Sequence, residues 1–138
     1  MSYRYHHPFP TRWNDNDQYG HMNNAVFYEA MDTAVNVWMG RHGLDPQGGT
    51  FAFCVTSGCT FHASASFPDE LSVGVGVERL GTTSITWSLG ILREDGTDQV
   101  ATGTFVHVFV DAVTRRPVPV PERIRAAVRA ELMEDGQR

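Results

Sequence analysis

Residues 14–24, which read NDNDQYGHMNN, concentrate side chains that can do acid–base chemistry. Two carboxylates, Asp15 and Asp17, and one imidazole, His21, lie within this stretch. A carboxylate can attack an electrophilic carbon or take a proton from water, and either step can start a hydrolysis. Asn and Asp also form ordinary turns, because their side chains replace backbone hydrogen bonds. Residue types alone leave both interpretations open, a solvated turn and a hydrolytic site.

A long amphipathic helix is predicted directly after this stretch. Apolar residues recur at steps of three and four from Asn24 to about Arg41, which is the spacing of one helix face. The apolar face consists of Phe27, Ala30, Met31, Ala34, Val35 and Trp38. Asn23 or Asn24 is expected to cap the N-terminus, and Gly40 or Gly43 to end the helix. The polar stretch therefore lies against a helix N-terminus.

The start of this helix favours a reactive site. Gly20 lets the backbone turn tightly before the helix, where unpaired N–H groups and the positive dipole end attract developing negative charge. A carboxylate beside such a helix end suits the hydrolysis of a carbonyl compound, because one group delivers the nucleophile and the other polarises the carbonyl. We therefore expect residues 14–24 to be a capping turn and a site at once.

The rest of the chain is typical of an antiparallel sheet. Four runs predict strands, two by strict alternation of apolar with small or polar residues and two by β-branched and aromatic content: Phe51–Phe61, Leu71–Val77, Ile85–Ile91 and Val100–Val110. Turn sequences at 80–84 and 94–98 predict hairpins.

The two ends of the chain add shorter elements. Residues 3–13 can form a first strand. Because of Pro8 and Pro10, the opening half of this strand is expected to be an edge strand or an irregular segment. Pro121 is expected at the first position of a last helix. The predicted order is strand, long helix, three or four antiparallel strands and short helix, so the fold class is α+β with one sheet covering one helix.

The size and shape of this predicted fold set its organisation. Residues 1–138 are expected to form a single domain. If a helix covers only one face of a sheet, an edge of the sheet and part of its surface are left unprotected. We therefore expect a homo-oligomer, at least a dimer, with a dimer of dimers left open.

Composition excludes several classes of partner. The chain carries 16 acidic against 11 basic residues, a net charge of −5, and only Arg115–Arg116 form even a short basic cluster, so nucleic acid is not an expected partner. No apolar run approaches the roughly 20 residues that span a bilayer, so a membrane is not expected either.

The cysteines and the N-terminus bear on the compartment. Cys54 and Cys59 differ by five positions, so on one strand they are expected to point to opposite faces and to remain unpaired, buried thiols. The N-terminal MSYRYHHPFP lacks the apolar core of a secretory signal. Free thiols fit a reducing compartment, and we expect a cytoplasmic protein.

Residues 12–28, RWNDNDQYGHMNNAVFY, resemble the signature of hotdog-fold acyl-CoA thioesterases of the 4-hydroxybenzoyl-CoA thioesterase-like family. Phe61–Leu71, Arg79–Ser84 and Ala101–Asp111 resemble later segments of the same family. The resemblance implies a hotdog fold, in which an antiparallel sheet wraps around one long central helix, and dimers that share a continuous sheet.

The resemblance also implies residue roles. Asp17 matches the catalytic acid, which attacks the thioester or activates a water, and the N–H groups around Asn23 to Ala25 supply the oxyanion hole. Asp15 is expected only to hold the loop. The expected substrate-binding residues are Gly20, His21, Met22, Asn23 and Asn24. His21 either orients the substrate or hydrogen-bonds across the dimer, and the two roles stay open.

The implied function is hydrolysis of an acyl-CoA to a free carboxylate and CoA, with an acyl carrier protein as the less expected thioester donor. Neither metal nor cofactor is implied, since His6, His7 and His21 lack ligand spacing. The turn at 80–84 lacks the basic cluster that some members use for the CoA phosphates, which leaves Arg79, Arg93 or Arg115. The alternatives are a non-catalytic acyl-thioester-binding protein and, less expected, a hotdog hydratase or dehydratase.

Overall fold

The computed structural model describes residues 3–93 and 98–134 of the 138-residue chain. Five strands form one antiparallel sheet in the spatial order β1-β3-β4-β5-β2. In chain order the strands are β1 (Tyr5–Pro10), β2 (Thr50–Phe61), β3 (Glu70–Leu80), β4 (Ser84–Arg93) and β5 (Gln99–Asp111).

The long helix α1 spans Asn24–Arg41, which confirms the bounds that the apolar periodicity predicts. All six residues of the predicted apolar face are buried, and Met39 joins them. The ring of Trp38 packs edge-on against Trp87 of β4, with centroids 5.8 Å apart. The amphipathic face of α1 thus packs against the middle of the sheet.

The alternating strands β3 and β4 bury their apolar residues beneath α1. Val73, Val75, Ile85, Trp87 and Ile91 are all fully buried. On their opposite face these strands carry small residues. The ring of Tyr3, which lies near the N-terminus of the chain, covers this face at Gly74 and Gly90. A Cβ placed on Gly74 would lie 2.4 Å from Tyr3 Cδ2, so glycine is needed there for close packing.

The two edges of the sheet differ in character. Strand β1 contains Pro8 and Pro10 and lies at one edge, as expected, although it is shorter than the predicted 3–13. Strand β2 is the other edge and exposes large apolar side chains: Phe53 is 38% exposed, Val55 59% and Phe61 41%. The β2 edge therefore presents both unpaired backbone groups and apolar surface.

The prediction that the cysteines are buried and face opposite sides was wrong. Cys54 is exposed and Cys59 half-buried. The pairing of β2 with β5 shifts by one residue between Cys54 and Thr56, and this bulge brings both cysteines to the same face, opposite His107 and Gly103. The two thiols remain unpaired, since four ladder positions separate them by about 13 Å.

The last helix starts one residue later than predicted. Pro121 is the N-cap, and α2 spans Glu122–Ala127 before a π-helical segment, Val128–Leu132, continues the chain.

The hairpin at 80–84 is confirmed, and Arg125 of α2 donates hydrogen bonds to the carbonyl oxygens of Gly81 and Thr82. Of the hairpin predicted at 94–98, residues 94–97 lie outside the described residues. None of the helices described is long and apolar enough to cross a membrane.

We predict that Gly103→Ala lowers the free energy of unfolding by about 1–3 kcal/mol, the usual effect of overpacking a core. A Cβ on Gly103 would lie 2.6 Å from Sδ of the fully buried Met31 and 3.1 Å from the Gly58 carbonyl oxygen. Denaturant unfolding measures the change. The control is Gly40→Ala, whose Cβ meets nothing within 4 Å and which should raise stability by about 0.5–1 kcal/mol. Equal stability of Gly103→Ala and the wild type would contradict the packing described.

Candidate functional site

The polar stretch folds into a tight loop whose two arms pair with each other. The Asn23 N–H donates to the Asp15 carbonyl at 2.8 Å, and the Asp17 N–H donates to the His21 carbonyl at 2.8 Å. Between these bonds Asn16 and Met22 form an antiparallel bridge. The loop thus fixes Asp17 two ladder positions from the residue that caps α1.

Gly20 makes the turn at the tip of this loop possible. Its φ is +82°, a conformation that residues with a side chain rarely adopt. The Gly20 N–H donates to the Asp17 carbonyl at 3.1 Å and closes the turn. The sequence-based expectation of a glycine turn before the helix is confirmed.

The Asp17 carboxylate is half-buried and held from one side. Its Oδ1 accepts the backbone N–H of Tyr19 at 2.9 Å and that of His21 at 3.5 Å. Within residues 3–93 and 98–134, no hydrogen bond to its Oδ2 is found. One oxygen therefore orients the carboxylate and the other is available for chemistry.

Asp15 holds the loop, as expected. It is 1% exposed, and its carboxylate accepts the Arg12 backbone N–H at 2.8 Å and the Arg12 guanidinium at 2.8 Å. The bond to the guanidinium and the Asp15 charge also raise the pKa of Arg12. A buried carboxylate without such partners would be strongly disfavoured, so the Arg12–Asp15 pair fixes this arm of the loop.

Within the described part of the chain, the N-terminus of α1 offers one free backbone donor among residues 23 to 25. Asn23 is the N-cap, and its Oδ1 accepts the Ala25 N–H at 2.9 Å. The Asn23 N–H is used by Asp15. The Asn24 N–H has no hydrogen-bond partner in the described part of the chain. Of the three N–H groups of residues 23 to 25, that of Asn24 alone lacks a partner among the described residues and is left for a ligand.

A second loop, residues 62–69, supports the site from behind. The Met22 N–H donates to the Ala65 carbonyl at 2.7 Å, and Asn16 Oδ1 accepts the Phe67 N–H at 3.0 Å. The Met22 side chain is only 3% exposed and belongs to the core. Asn16 thus joins the two loops, a role that was not predicted from the sequence. Its place between Asp15 and Asp17 was the signal that could have indicated it.

Other potential nucleophiles at the β2 edge are poorly suited to attack. Burial raises the pKa of the Cys59 thiol, and burial followed by the charge of Asp32 raises the pKa of the Cys54 thiol. Both effects disfavour the reactive thiolate. Among the described residues, no group of three or more His, Cys, Asp or Glu side chains is arranged to hold a metal ion.

A buried polar pair not predicted from the sequence lies further along α1. His107 of β5 is 1% exposed, and its Nε2 lies 3.3 Å from Oδ1 of Asp32 on α1. Burial lowers the pKa of His107 more than the Asp32 charge raises it. The strand pattern of residues 100–110 placed His107 on β5, but nothing in it indicated an acidic partner on the helix.

The three arginines considered for CoA phosphates differ in their surroundings. The Arg93 guanidinium lies 3.1 Å from Asp98 and 3.4 Å from Asp69, so its charge is already compensated. Arg115 stacks over the Phe51 and Phe53 rings at 5.4 and 5.3 Å. Arg79 is exposed on β3.

This architecture and this loop define a hotdog-fold protein of the thioester-hydrolase class. The family model of the thioesterase-like superfamily matches residues 11–128, which include the whole loop of the site and the strands β2 to β5. The chain belongs to the thioesterase-like superfamily.

Several solved structures are similar to this chain. The PA5185 protein from Pseudomonas aeruginosa strain PAO1 is 41% identical, with a TM-score of 0.91 over 96% of this chain and 94% of that chain. The PA2801 protein from Pseudomonas aeruginosa is 27% identical, with a TM-score of 0.85 over 92% and 99%. A thioesterase from Thermus thermophilus, complexed with coenzyme A and Zn, is 28% identical, with a TM-score of 0.79 over 94% of each chain. No match is found among curated proteins.

We predict that Asn23→Ala lowers the free energy of unfolding by about 0.5–2 kcal/mol, because the Ala25 N–H loses its cap. The matched control is Asn24→Ala, one residue further, whose exposed side chain makes no cap bond; a change within about 0.5 kcal/mol is expected. Thermal and denaturant unfolding of both variants measure the difference. Equal destabilisation by the two substitutions would show that Asn23 is not the cap.

Proposed function

We propose that the protein hydrolyses acyl-CoA thioesters, with Asp17 as nucleophile or general base and the N-terminus of α1 as the oxyanion hole. The observation that carries this proposal is the arrangement of Asp17: one carboxylate oxygen is anchored by two backbone N–H groups and the other is unbonded within residues 3–93 and 98–134. This proposal is supported by the loop ladder, which sets Asp17 two positions from Asn23, the cap of the helix end that presents the Asn24 N–H.

Two routes are compatible with this geometry. In the first, Asp17 takes a proton from water as the water oxygen adds to the thioester carbon; the C–S bond then breaks, and the proton passes to the leaving thiolate. In the second, Asp17 attacks the thioester carbon and expels the thiolate, and water then hydrolyses the resulting anhydride. In both routes the carbonyl oxygen gains negative charge that the Asn24 N–H and the helix dipole stabilise.

The remaining loop residues are proposed to shape the entrance for the substrate. Gly20 and the exposed His21 form the rim, where His21 either orients the thioester or bonds across an oligomer interface. Met22 contributes core packing behind the site, and Asn23 and Asn24 frame the helix end. The CoA complex of the 28% identical Thermus thermophilus thioesterase supports CoA as the thiol portion, ahead of an acyl carrier protein.

Exposed cations are the proposed contacts for the CoA phosphates. Arg79 and Arg115 fit better than Arg93, whose charge is compensated by two carboxylates.

A non-catalytic acyl-thioester-binding protein is the alternative. Such a protein would bind the thioester at the same helix end. The Asp17 carboxylate would then serve only to hold its turn through the bonds to Tyr19 and His21. A hydratase or dehydratase is less well supported, since Asp17 and His21 lack the proline and the spacing of the Asp–His arrangement in those enzymes.

We predict that Asp17→Asn lowers kcat for acyl-CoA hydrolysis by about 10²–10⁴-fold, the usual contribution of a positioned acid or base. Release of free thiol from short, medium, long and aromatic acyl-CoAs measures the rate. The matched control is Asp45→Asn, since Asp45 Oδ1 accepts the Gln47 N–H at 2.9 Å in the same type of turn but outside the site. Asp45→Asn should keep wild-type activity.

The alternatives separate in the same assay. Wild-type protein that releases no thiol from any of these acyl-CoAs would defeat the proposed enzyme. Binding of the thioesters without turnover would instead support the non-catalytic protein.

We also propose that the protein associates through the β2 edge into a dimer, with a dimer of dimers left open. The Val55→Lys variant should be monomeric, because a charge in the exposed apolar edge opposes strand pairing. Light scattering coupled to size exclusion measures the mass. Val113→Lys, at an 88% exposed position after β5, is the matched control and should keep the wild-type mass. A monomeric wild type, or an unchanged mass for Val55→Lys, would refute this interface.

A further inference from the structure

A buried histidine links the long helix to the sheet at a point away from the candidate site. His107 on β5 is 1% exposed, and its Nε2 lies 3.3 Å from Oδ1 of Asp32, which is on α1. Asn36, one turn further along the helix, donates a hydrogen bond from Nδ2 to the same Asp32 oxygen at 3.2 Å. The buried residues of α1 are all apolar. The contact between His107 and Asp32 is therefore a polar link beside the apolar face of the helix.

The surroundings of His107 fix which ring nitrogen carries the proton. A neutral imidazole has one N–H donor and one acceptor nitrogen. Nδ1 of His107 is buried and has no hydrogen-bond partner among the described residues, whereas Nε2 has Asp32 as an acceptor. A buried donor without an acceptor is costly. Neutral His107 therefore carries its proton on Nε2, where it donates a hydrogen bond to Asp32.

The elements packed against His107 offer one charged group among the described residues, the Asp32 carboxylate of α1. Strand β4 contributes the ring of Trp87, which lies edge-on at 6.3 Å. Strand β2 places Cys54 opposite His107. Burial and then the charge of Asp32 raise the pKa of the Cys54 thiol, so this group stays neutral. The Asp32 side chain is 48% exposed, so water screens part of its attraction for a positive charge.

A second proton on His107 is disfavoured in the packed structure. It would add a buried N–H at Nδ1 without an acceptor, and a charge in a buried position. Burial therefore lowers the pKa of His107 from its ordinary value of 6.5, more than the Asp32 charge and hydrogen bond raise it. Since the folded pKa is the lower one, the stability from this site is fully present above pH 6.5 and is lost as the pH falls toward the folded pKa.

We propose that His107 and Asp32 form a pH switch, in which neutral His107 holds α1 against β5 and uptake of a second proton opens this contact to water. Nδ1 can bind water only when helix and strand separate there, because the ring is 1% exposed in the closed contact. Hydrolysis of a thioester at Asp17 requires no such switch, so this inference goes beyond the proposed function.

One consequence of the switch does rest on the proposed function. Asn24, whose N–H is the proposed oxyanion donor, lies eight residues before Asp32 on the same helix. Opening of the contact at Asp32 loosens the packing that holds this helix in place. Activity and stability should therefore fall together in acid.

The pH dependence of unfolding tests the switch. Denaturant unfolding of the wild type and of His107→Gln is measured at pH 7 and at pH 5. The glutamine amide can donate to Asp32 as Nε2 does, but it takes up no proton in this range. Between these pH values the wild-type unfolding constant should rise about 3- to 25-fold more than that of the variant, the upper limit being set by an unfolded histidine of ordinary pKa and a folded one that binds no second proton.

Two further variants separate His107 from other titrating groups. His62→Gln removes an exposed histidine that hydrogen-bonds to Oγ1 of Thr102 at 2.9 Å, and it should keep the wild-type pH dependence. Asp32→Asn keeps an acceptor for the Nε2 proton and removes the charge that stabilises the imidazolium, so its acid sensitivity should equal or exceed that of the wild type. Loss of the acid sensitivity in Asp32→Asn would assign it to the carboxylate and overturn the switch.

Nuclear magnetic resonance of the wild type decides between the outcomes even if His107→Gln does not fold. The ring nitrogens of His107 should show a proton on Nε2 alone at pH 7. In the folded protein this state should persist to a lower pH than in a histidine of an unfolded peptide. A proton on Nδ1 instead, or titration at or above the midpoint of the peptide, would refute the switch.

Thioester hydrolysis assays keep this inference apart from the proposed function. Inactivity with every acyl-CoA would defeat the proposed enzyme and leave the pH dependence of unfolding as it is. Equal pH dependence of the wild type and His107→Gln would overturn the switch while leaving hydrolysis by Asp17 intact.

Discussion

The pairing of the two arms of the 15–23 loop is the constraint on which the site depends. The bond from the Asn23 N–H to the Asp15 carbonyl joins the loop to the cap of α1. It holds because Asp15 is buried and must keep Arg12 as its partner. With that arm fixed, the loop ladder sets Asp17 two positions from the cap of α1, and the Tyr19 and His21 N–H groups orient its carboxylate.

Helix α1 links this loop to the rest of the molecule. Its apolar face packs on the sheet and fixes its position. Its N-terminus presents the Asn24 N–H, which has no partner within residues 3–93 and 98–134. Another side of the helix carries Tyr28 to Phe105 and Asp32 to His107, both on β5. The packing of this one helix thereby sets the place of the proposed oxyanion donor.

Regular elements were predictable because their periodicity reflects burial on one face. The stripe from Phe27 to Trp38 predicted the bounds of α1, and the alternation of β3 and β4 predicted which residues are buried. The predicted orientation of the two cysteines was wrong because a bulge between Cys54 and Thr56 adds a residue to β2. The extra residue reverses the alternation of faces beyond it. Their expected burial failed because β2 is an edge strand, and nothing local to its sequence shows which strands become edges.

The sequence by itself determined the loop, the helix and the candidate acid, since Gly20, Asn23 and Asp17 act through bonds to residues close along the chain. Tertiary structure decided which donors remain free: the Asn23 and Ala25 N–H groups are used, and that of Asn24 has no partner in the described residues. Tertiary packing also brings Asp32 into contact with His107, although the two residues are 75 positions apart in the sequence. Local bonds follow from local spacing, but contacts between a helix and a strand exist only once both are packed.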